Sequence, residues 1–265
     1  MIKIVLSVIA VLILAIIIWA LAEPHFPQFT LIRMNKDKDK DVSLRLFFFS
    51  DIHAEHCFIK PSYITSLIAR ESKAGIDAVV FGGDISGDPA KLDKGTRYLQ
   101  EIAECCRDLN IPFIGVTGNH DCAMTRAQEE ACGFTNIEGS YIEMKDCVIA
   151  GIDDSGRSNR AWFDPAPLPE GKKHILIAHD PDAILHLKDP DNIDYMLSGH
   201  IHGGQIRTPF KIEFLVIRKD ELPRRGIYGG IHDIGNTRVF ISRGVGCVRM
   251  PLRFFARPEV SIVEI

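Results

Sequence analysis

Five short apolar runs in this chain each lead straight into a residue that can hold a metal ion. LRLFFFS (44–50) runs into Asp51 and His53, DAVVFGG (77–83) into Asp84, and IPFIGVTG (111–118) into Asn119 and His120. HILIA (174–178) runs into His179, and DYMLSG (194–199) into His200 and His202. Apolar runs of this length, bounded by Gly and polar residues, read as buried strands. In open α/β sheets, ligands bind beyond the carboxyl ends of the strands. Five such strands are expected to deliver carboxylate, amide and imidazole to one edge of one sheet, which predicts a metal site.

Helical patterns separate the early runs. Within residues 91–110, Leu92, Leu99, Ile102, Ala103, Cys106 and Leu109 fall on one helix face. Residues 61–73 and 125–132 are shorter candidates. Strands alternating with helices up to Gly118 predict parallel βαβ units. Beyond that point, 141–144 and 147–152 flank Lys145-Asp146 and read as a hairpin. Residues 214–217, 239–242 and 260–263 read as further strands with Gly-rich connections, implying a second, more antiparallel sheet. The expected fold is α/β: a four-layer α/β-β/α sandwich of two mixed sheets flanked by helices, over residues 44–265. A chain of 265 residues has room for one such domain with a full core.

The first residues differ in character. Residues 4–22 are apolar without a charge, 19 positions, against the roughly 20 that a membrane-spanning helix needs. A cleaved signal peptide is the rival, since Ala20-Leu21-Ala22 resembles a cleavage site, but its apolar core usually runs only about 7–15 residues. The reading is an uncleaved, single-pass transmembrane anchor over 1–22, then a linker over 23–43 with two prolines and the run KDKDKD. Arg33, Lys36, Lys38 and Lys40 follow the span, which favours a cytoplasmic catalytic domain in the cell membrane. Seven cysteines, an odd number without CxxC spacing, fit a reducing compartment and argue against a zinc ribbon. A net charge of -4 argues against nucleic acid as a partner.

Residues two apart in an extended chain point the same way, so Asp51-x-His53 and His200-x-His202 each offer two ligands to one space. The donor set is mixed oxygen and imidazole without thiolate. Such sets suit Mn, with Fe or Zn as alternatives, rather than Ca. Seven groups are too many for one tetrahedral ion and suit two ions sharing a carboxylate.

DIH, GGD, GNHD, AHDPD and GHIHGGQ, in this order, resemble the five blocks of the calcineurin-like metallophosphoesterase superfamily. HDPD with SGHIHGGQIRTP resembles a bacterial membrane-anchored or exported subgroup that includes UDP-2,3-diacylglucosamine diphosphatases. The resemblance implies that Asp51, His53, Asp84 and His202 hold one ion and Asp84, Asn119, His179 and His200 the other, with Asp84 bridging. It implies that His120 faces the scissile phosphate, and that metal-bound hydroxide cleaves a phosphoester or pyrophosphate bond. Asp121 either orients His120 or caps the next helix, and Asp88 is a weaker candidate for orienting His120. His56, His186 and His232 read as surface or structural, Asp180 and Asp182 as a helix start, and Gln205 as a turn residue beside the site.

The substrate is less constrained. Residues 153–169 carry Arg157, Arg160 and Trp162, and Arg157 and Arg160 are candidate phosphate contacts. RMPLRFFAR (249–257) reads either as a lipid-headgroup contact or as a strand lead-in with Phe254 and Phe255 in the core. The expected enzyme is a membrane-anchored hydrolase of a nucleotide-linked lipid such as UDP-2,3-diacylglucosamine. The alternatives are a phosphodiesterase for soluble substrates such as cyclic nucleotides and a non-catalytic scaffold on the same fold.

Overall fold

The apolar runs are long because both of their faces are covered. In the computed structural model, which describes residues 1–36, 41–152, 168–208 and 220–265, β1 is Gln28–Arg33, β2 Arg45–Phe49, β3 Ala78–Gly82, β4 Phe113–Val116 and β5 Thr135–Asn136. Along β2 the side chains alternate. Phe47 and Phe49 enter one core under the helices, and Leu46 and Phe48 enter a second core. Strand β3 divides likewise, with Val79 and Phe81 on one side and Ala78 and Val80 on the other.

The helices on the outer face are α2 (Pro61–Glu71) and α3 (Leu92–Asp108). Pro61 opens α2, where its missing N–H costs nothing. Along α3, Tyr98, Leu99, Ile102, Ala103 and Cys106 form the buried stripe. The short α4 (Arg126–Ala131) starts with a capping box between Thr125 and Gln128.

The second sheet is built from β6 (Tyr141–Met144), β7 (Cys147–Ile152), β8 (Lys173–Ala178), β9 (Tyr195–Ser198), β10 (Gly230–Ile234) and β11 (Thr237–Ile241). Its order is β10-β11-β9-β8-β7-β6. The first sheet runs β1-β12-β2-β3-β4-β5, with β12 at Glu259–Glu264. The two sheets face each other across the second core, where Phe48 meets Phe240 edge-on at 6.1 Å. Ile175 and Ile177 point into this core, while Leu176 and Ala178 point outward into a third.

Several expectations need correction. The five ligand-bearing strands do not share one sheet: β2, β3 and β4 lie in the first, β8 and β9 in the second. The second sheet is parallel through β7, β8, β9 and β11, and antiparallel only at its edges. Residues 260–263 belong to the first sheet, antiparallel to β2. Gln28–Arg33, expected in the linker, is an edge strand parallel to β12, and Met34 after it is fully buried. Among the described residues, the outer face of the second sheet is covered by 3₁₀ turns such as Pro181–Leu185 and by the four-residue α5 (Glu221–Arg224) rather than by long helices. The candidate strand at 214–217 lies outside the described residues.

Helix α1 (Ile2–Ala22) buries no side chain and is long and apolar enough to cross a membrane. Its foot is fastened to the domain. The Ala20 carbonyl accepts from Arg253 N at 2.9 Å. The buried Glu23 carboxylate accepts from the backbone N–H groups of Phe255 and Ala256.

Candidate metal centre

Parallel pairing levels the strand ends. Phe49 lies beside Phe81 and Gly82 beside Val116, so the residues after β2, β3 and β4 emerge at one edge. The loops interlock there, with Asp51 N donating to Gly83 O and Ile52 N to Asp84 O. The second sheet brings His179 and His200 to the same place, and the Gly199 N–H donates to His179 O.

The backbone at this edge is not extended. Asp51, His53, Asp84, His200 and His202 all have positive φ, between 42° and 68°. Such conformations cost on the order of 1–3 kcal/mol each and persist only where the surroundings enforce them. The paired residues therefore converge through left-handed turns, not through the extended alternation expected from sequence. Glycine makes the close approach possible. A Cβ on Gly118 would stand 2.2 Å from Asp84 Oδ1, and one on Gly199 would stand 2.4 Å from Asp51 Oδ2.

The donor atoms form contiguous groups. Asp51, His53 and His202 form one, and Asp84, His179 and His200 another, while a nitrogen of His120 also lies within 4.8 Å of donor atoms of His53 and Asp84. His53 Nε2 lies 3.1 Å from His202 Nε2, and His202 Nε2 lies 3.2 Å from Asp51 Oδ1. Asn119 Oδ1 meets His200 Nδ1 at 2.8 Å. Asp84 Oδ2 sits between the groups, 3.3 Å from His53 Nε2 and 3.0 Å from His179 Nε2.

This set fits cations. His179 Nδ1 donates to the Gly82 carbonyl at 2.7 Å, which leaves the lone pair of neutral imidazole on Nε2, aimed at a carboxylate oxygen. Two acceptors in that relation need a positive charge, proton or metal, close to both. Burial alone would lower the His53 pKa, but Asp84, Glu55 and Asp51 outweigh it and push it up to about 10. Burial would raise Asp84, yet His179 and His53 hold it well below the usual carboxylate range.

His120 stands beside this centre, half-buried, its ring 5.0 Å from that of His53. Its backbone N–H donates to Asp84 Oδ1 at 2.9 Å. Burial, with the neighbouring imidazoles, lowers its pKa. Asp121 is fully enclosed and accepts from the N–H groups of Asp84, Ile85 and Gly118 at 2.8–3.0 Å. It braces the two loops, and burial together with the Asp84 charge pushes it up to about 7.

Other candidates have plainer places. Asp88 caps the turn at Pro89 by accepting from Ala90 N, and Asp180 does the same for Asp182 N. Gln205 ties its amide to the backbone of Val248 and Met250. His186 is exposed, and His232 contacts the Gly229 carbonyl. Arg157, Arg160 and Trp162 lie outside the described residues.

Three residues escaped the sequence reading. Glu55 lies 3.2 Å from His53 Nδ1 and accepts from Ser86 Oγ and Gly87 N, and its pKa falls to about 2. Burial opposes that shift, and the His53 contact leads the groups that outweigh it. Its signal was present: a carboxylate two positions after a ligand histidine. Asp220 lies 3.3 Å from His200 Nε2 and lines the cavity. Arg253 is fully buried and reaches five backbone carbonyls: those of His202, Arg243, Gly244, Gly246 and Ala256. Nothing in RMPLRFFAR announces a buried cation.

A cavity of about 360 Å³ opens over the centre, lined by Asp84, Asn119, His120, His200 and His202 on one side and by Ile206, Val248 and Met250 on the other. The calcineurin-like phosphoesterase family model matches residues 44–204, a span holding all seven clustered donors and His120. The chain belongs to the calcineurin-like phosphoesterase family. It is a metal-dependent phosphoester hydrolase by that membership. It is 33% identical over 229 residues to the uncharacterized metallophosphoesterase YkuE of Bacillus subtilis, covering 81% of this chain and 76% of that one. Similarity to YkoQ of the same organism, also an uncharacterized metallophosphoesterase, is 26% over 234 residues, 84% and 83% of the two chains. The phosphodiesterase YaeI of Escherichia coli is 26% identical over 254 residues, 92% of this chain and 90% of its own.

Proposed function

We propose that this phosphoesterase holds two divalent ions and cleaves a phosphodiester or pyrophosphate bond at the membrane. Asp51, His53, Asp84 and His202 would hold one ion, and Asp84, Asn119, His179 and His200 the other. The observation that carries this reading is the single Asp84 oxygen within 3.3 Å of histidines from both groups. Bound ions supply Lewis acidity toward a phosphoryl oxygen and lower the pKa of water to near neutrality. The oxygen and imidazole donors favour Mn, with Fe or Zn as alternatives.

The chain's own groups do the rest. His120 is not needed as a ligand; it holds a proton toward the leaving oxygen or donates a hydrogen bond to charge developing there. Glu55 fixes the His53 ring through Nδ1, and Asp121 fixes the loops that present Asp84 and Asn119. Arg157 and Arg160 are proposed to contact substrate phosphate.

The name of the E. coli relative supports diester cleavage. Helix α1 and the apolar wall at Ile206, Val248 and Met250 support a lipid-linked substrate, with UDP-2,3-diacylglucosamine as the specific candidate. The seven unpaired cysteines support a cytoplasmic domain. The test uses the full chain in detergent, loaded with Mn²⁺. It compares UDP-2,3-diacylglucosamine, cyclic nucleotides and bis(nitrophenyl) phosphate. Preference for the lipid is expected; turnover of cyclic nucleotides alone would overturn the lipid assignment.

A further inference from the structure

The foot of α1 and the mouth of the metal cavity lie at the same edge of the molecule. Gln28 pairs with Glu259, Ser261 pairs with Phe48, and Val245 N donates to Ser50 O, so β1 begins where β2 ends. The connection is also local. Val248, Arg249 and Met250 line the cavity. Three residues later the Arg253 N–H donates to the Ala20 carbonyl, and the Glu23 carboxylate accepts from the N–H groups of Phe255 and Ala256.

Large apolar side chains stand exposed around this foot: Phe26 at 50%, Phe58 at 38%, Met250 at 49% and Phe255 at 64%. His25 packs against Phe58 with ring centroids 4.4 Å apart and planes tilted by 46°, and Arg257 donates to the Phe26 carbonyl at 2.7 Å. Phe255 is held outward by a left-handed backbone, φ 55°. Its ring touches that of Phe254 edge-on at 4.4 Å yet stays largely in water, so folding buries little of its apolar surface. Aromatic residues at an apolar–polar boundary, with arginine beside them, match the interfacial zone of a bilayer.

We propose that this face lies on the bilayer surface, with Phe26, Phe58, Met250 and Phe255 in the headgroup–acyl boundary and Arg249 at anionic headgroups. The cavity then opens along its Val248–Met250 wall at the level of the lipid rather than toward bulk water. The proposal rests on α1 being a membrane anchor. It goes further, because an anchor on a loose tether would leave the domain free to rotate, whereas the Ala20, Glu23 and Arg253 contacts fix its orientation.

The test places the photo-crosslinking residue p-benzoylphenylalanine at position 9, 58, 109 or 255 of the full chain, in vesicles of phosphatidylethanolamine and phosphatidylglycerol. Ile9 lies within α1 and reports insertion. Leu109 is exposed and follows α3, at the opposite edge where β4 begins. Mass spectrometry is expected to show the added mass of one phospholipid at 9, 58 and 255 and none at 109. Adducts at 9 alone would overturn the docked face and leave the anchor standing. No adduct at 9 would remove the anchor, and the docking with it. Equal labelling at 109 would show lipid contact without a preferred face, which also overturns the proposal.

Discussion

The two-ion proposal turns on Asp84, whose Oδ2 lies within 3.3 Å of histidines from both groups. Asp84→Ala should abolish turnover and leave fewer than one tightly bound ion per chain by elemental analysis; two retained ions would break the bridging assignment. His120→Ala separates binding from catalysis. It should keep its metal and lose about 10²–10⁴-fold in rate, with a smaller loss for a nitrophenyl leaving group that needs no proton. Metal loss in this variant would place His120 in the coordination shell. The protonation of His53 gives a third test. Its pKa in the metal-free protein is raised to about 10, so the stabilisation from the His53 cation is complete below about 6.5, the unfolded value, and fades as pH rises through 10. Metal must displace that proton. Titration of Mn²⁺ into metal-free protein at pH 8 should therefore release protons, seen as a dependence of binding heat on buffer ionisation enthalpy. The His53→Gln variant should release fewer.

At the scale of elements, the strands that end at the site were legible and their grouping was not. Strands β2, β3, β4, β8 and β9 are buried on both faces, which marks burial but not the sheet to which a strand belongs. Strand β1 was hidden because an edge strand of six residues, half-exposed, lacks that signature. Its place in the sheet has a consequence for truncation. Removing residues 1–18 leaves Ala20 and Glu23 on the domain and should preserve turnover of a soluble diester. Removing 1–42 deletes β1 and the buried Met34, worth about 1.5–3 kcal/mol for that side chain alone, and should lower the Tm. Equal Tm values for the two truncations would show that β1 contributes nothing.

For the whole molecule, Arg253 ties distant parts together. It joins the α1 foot through its backbone and the loops of Arg243, Gly246 and His202 through its guanidinium. A buried carbonyl left without a donor costs about 1–3 kcal/mol. Arg253→Met should therefore destabilise the fold by at least about 3 kcal/mol in denaturant unfolding, while a surface control such as Arg126→Met should change it little. A loss equal to the control would mean that the carbonyls find other donors.

The order of donors along the chain, the apolar strands before them and the long apolar N-terminal segment follow from composition and local pattern, which indicate a metal site, and the resemblance of the five motifs to the calcineurin-like family added the phosphoesterase reading. Local pattern reports burial and secondary structure because both depend on nearby residues. It cannot report which strand pairs with which, since β12 reaches β2 across about 200 residues of chain. Nor can it report the left-handed turns at five of the seven donors, the burial of Arg253, or the meeting of the α1 foot and the cavity mouth at one edge. Those are set by long-range packing, which exists only once both sheets have closed on each other.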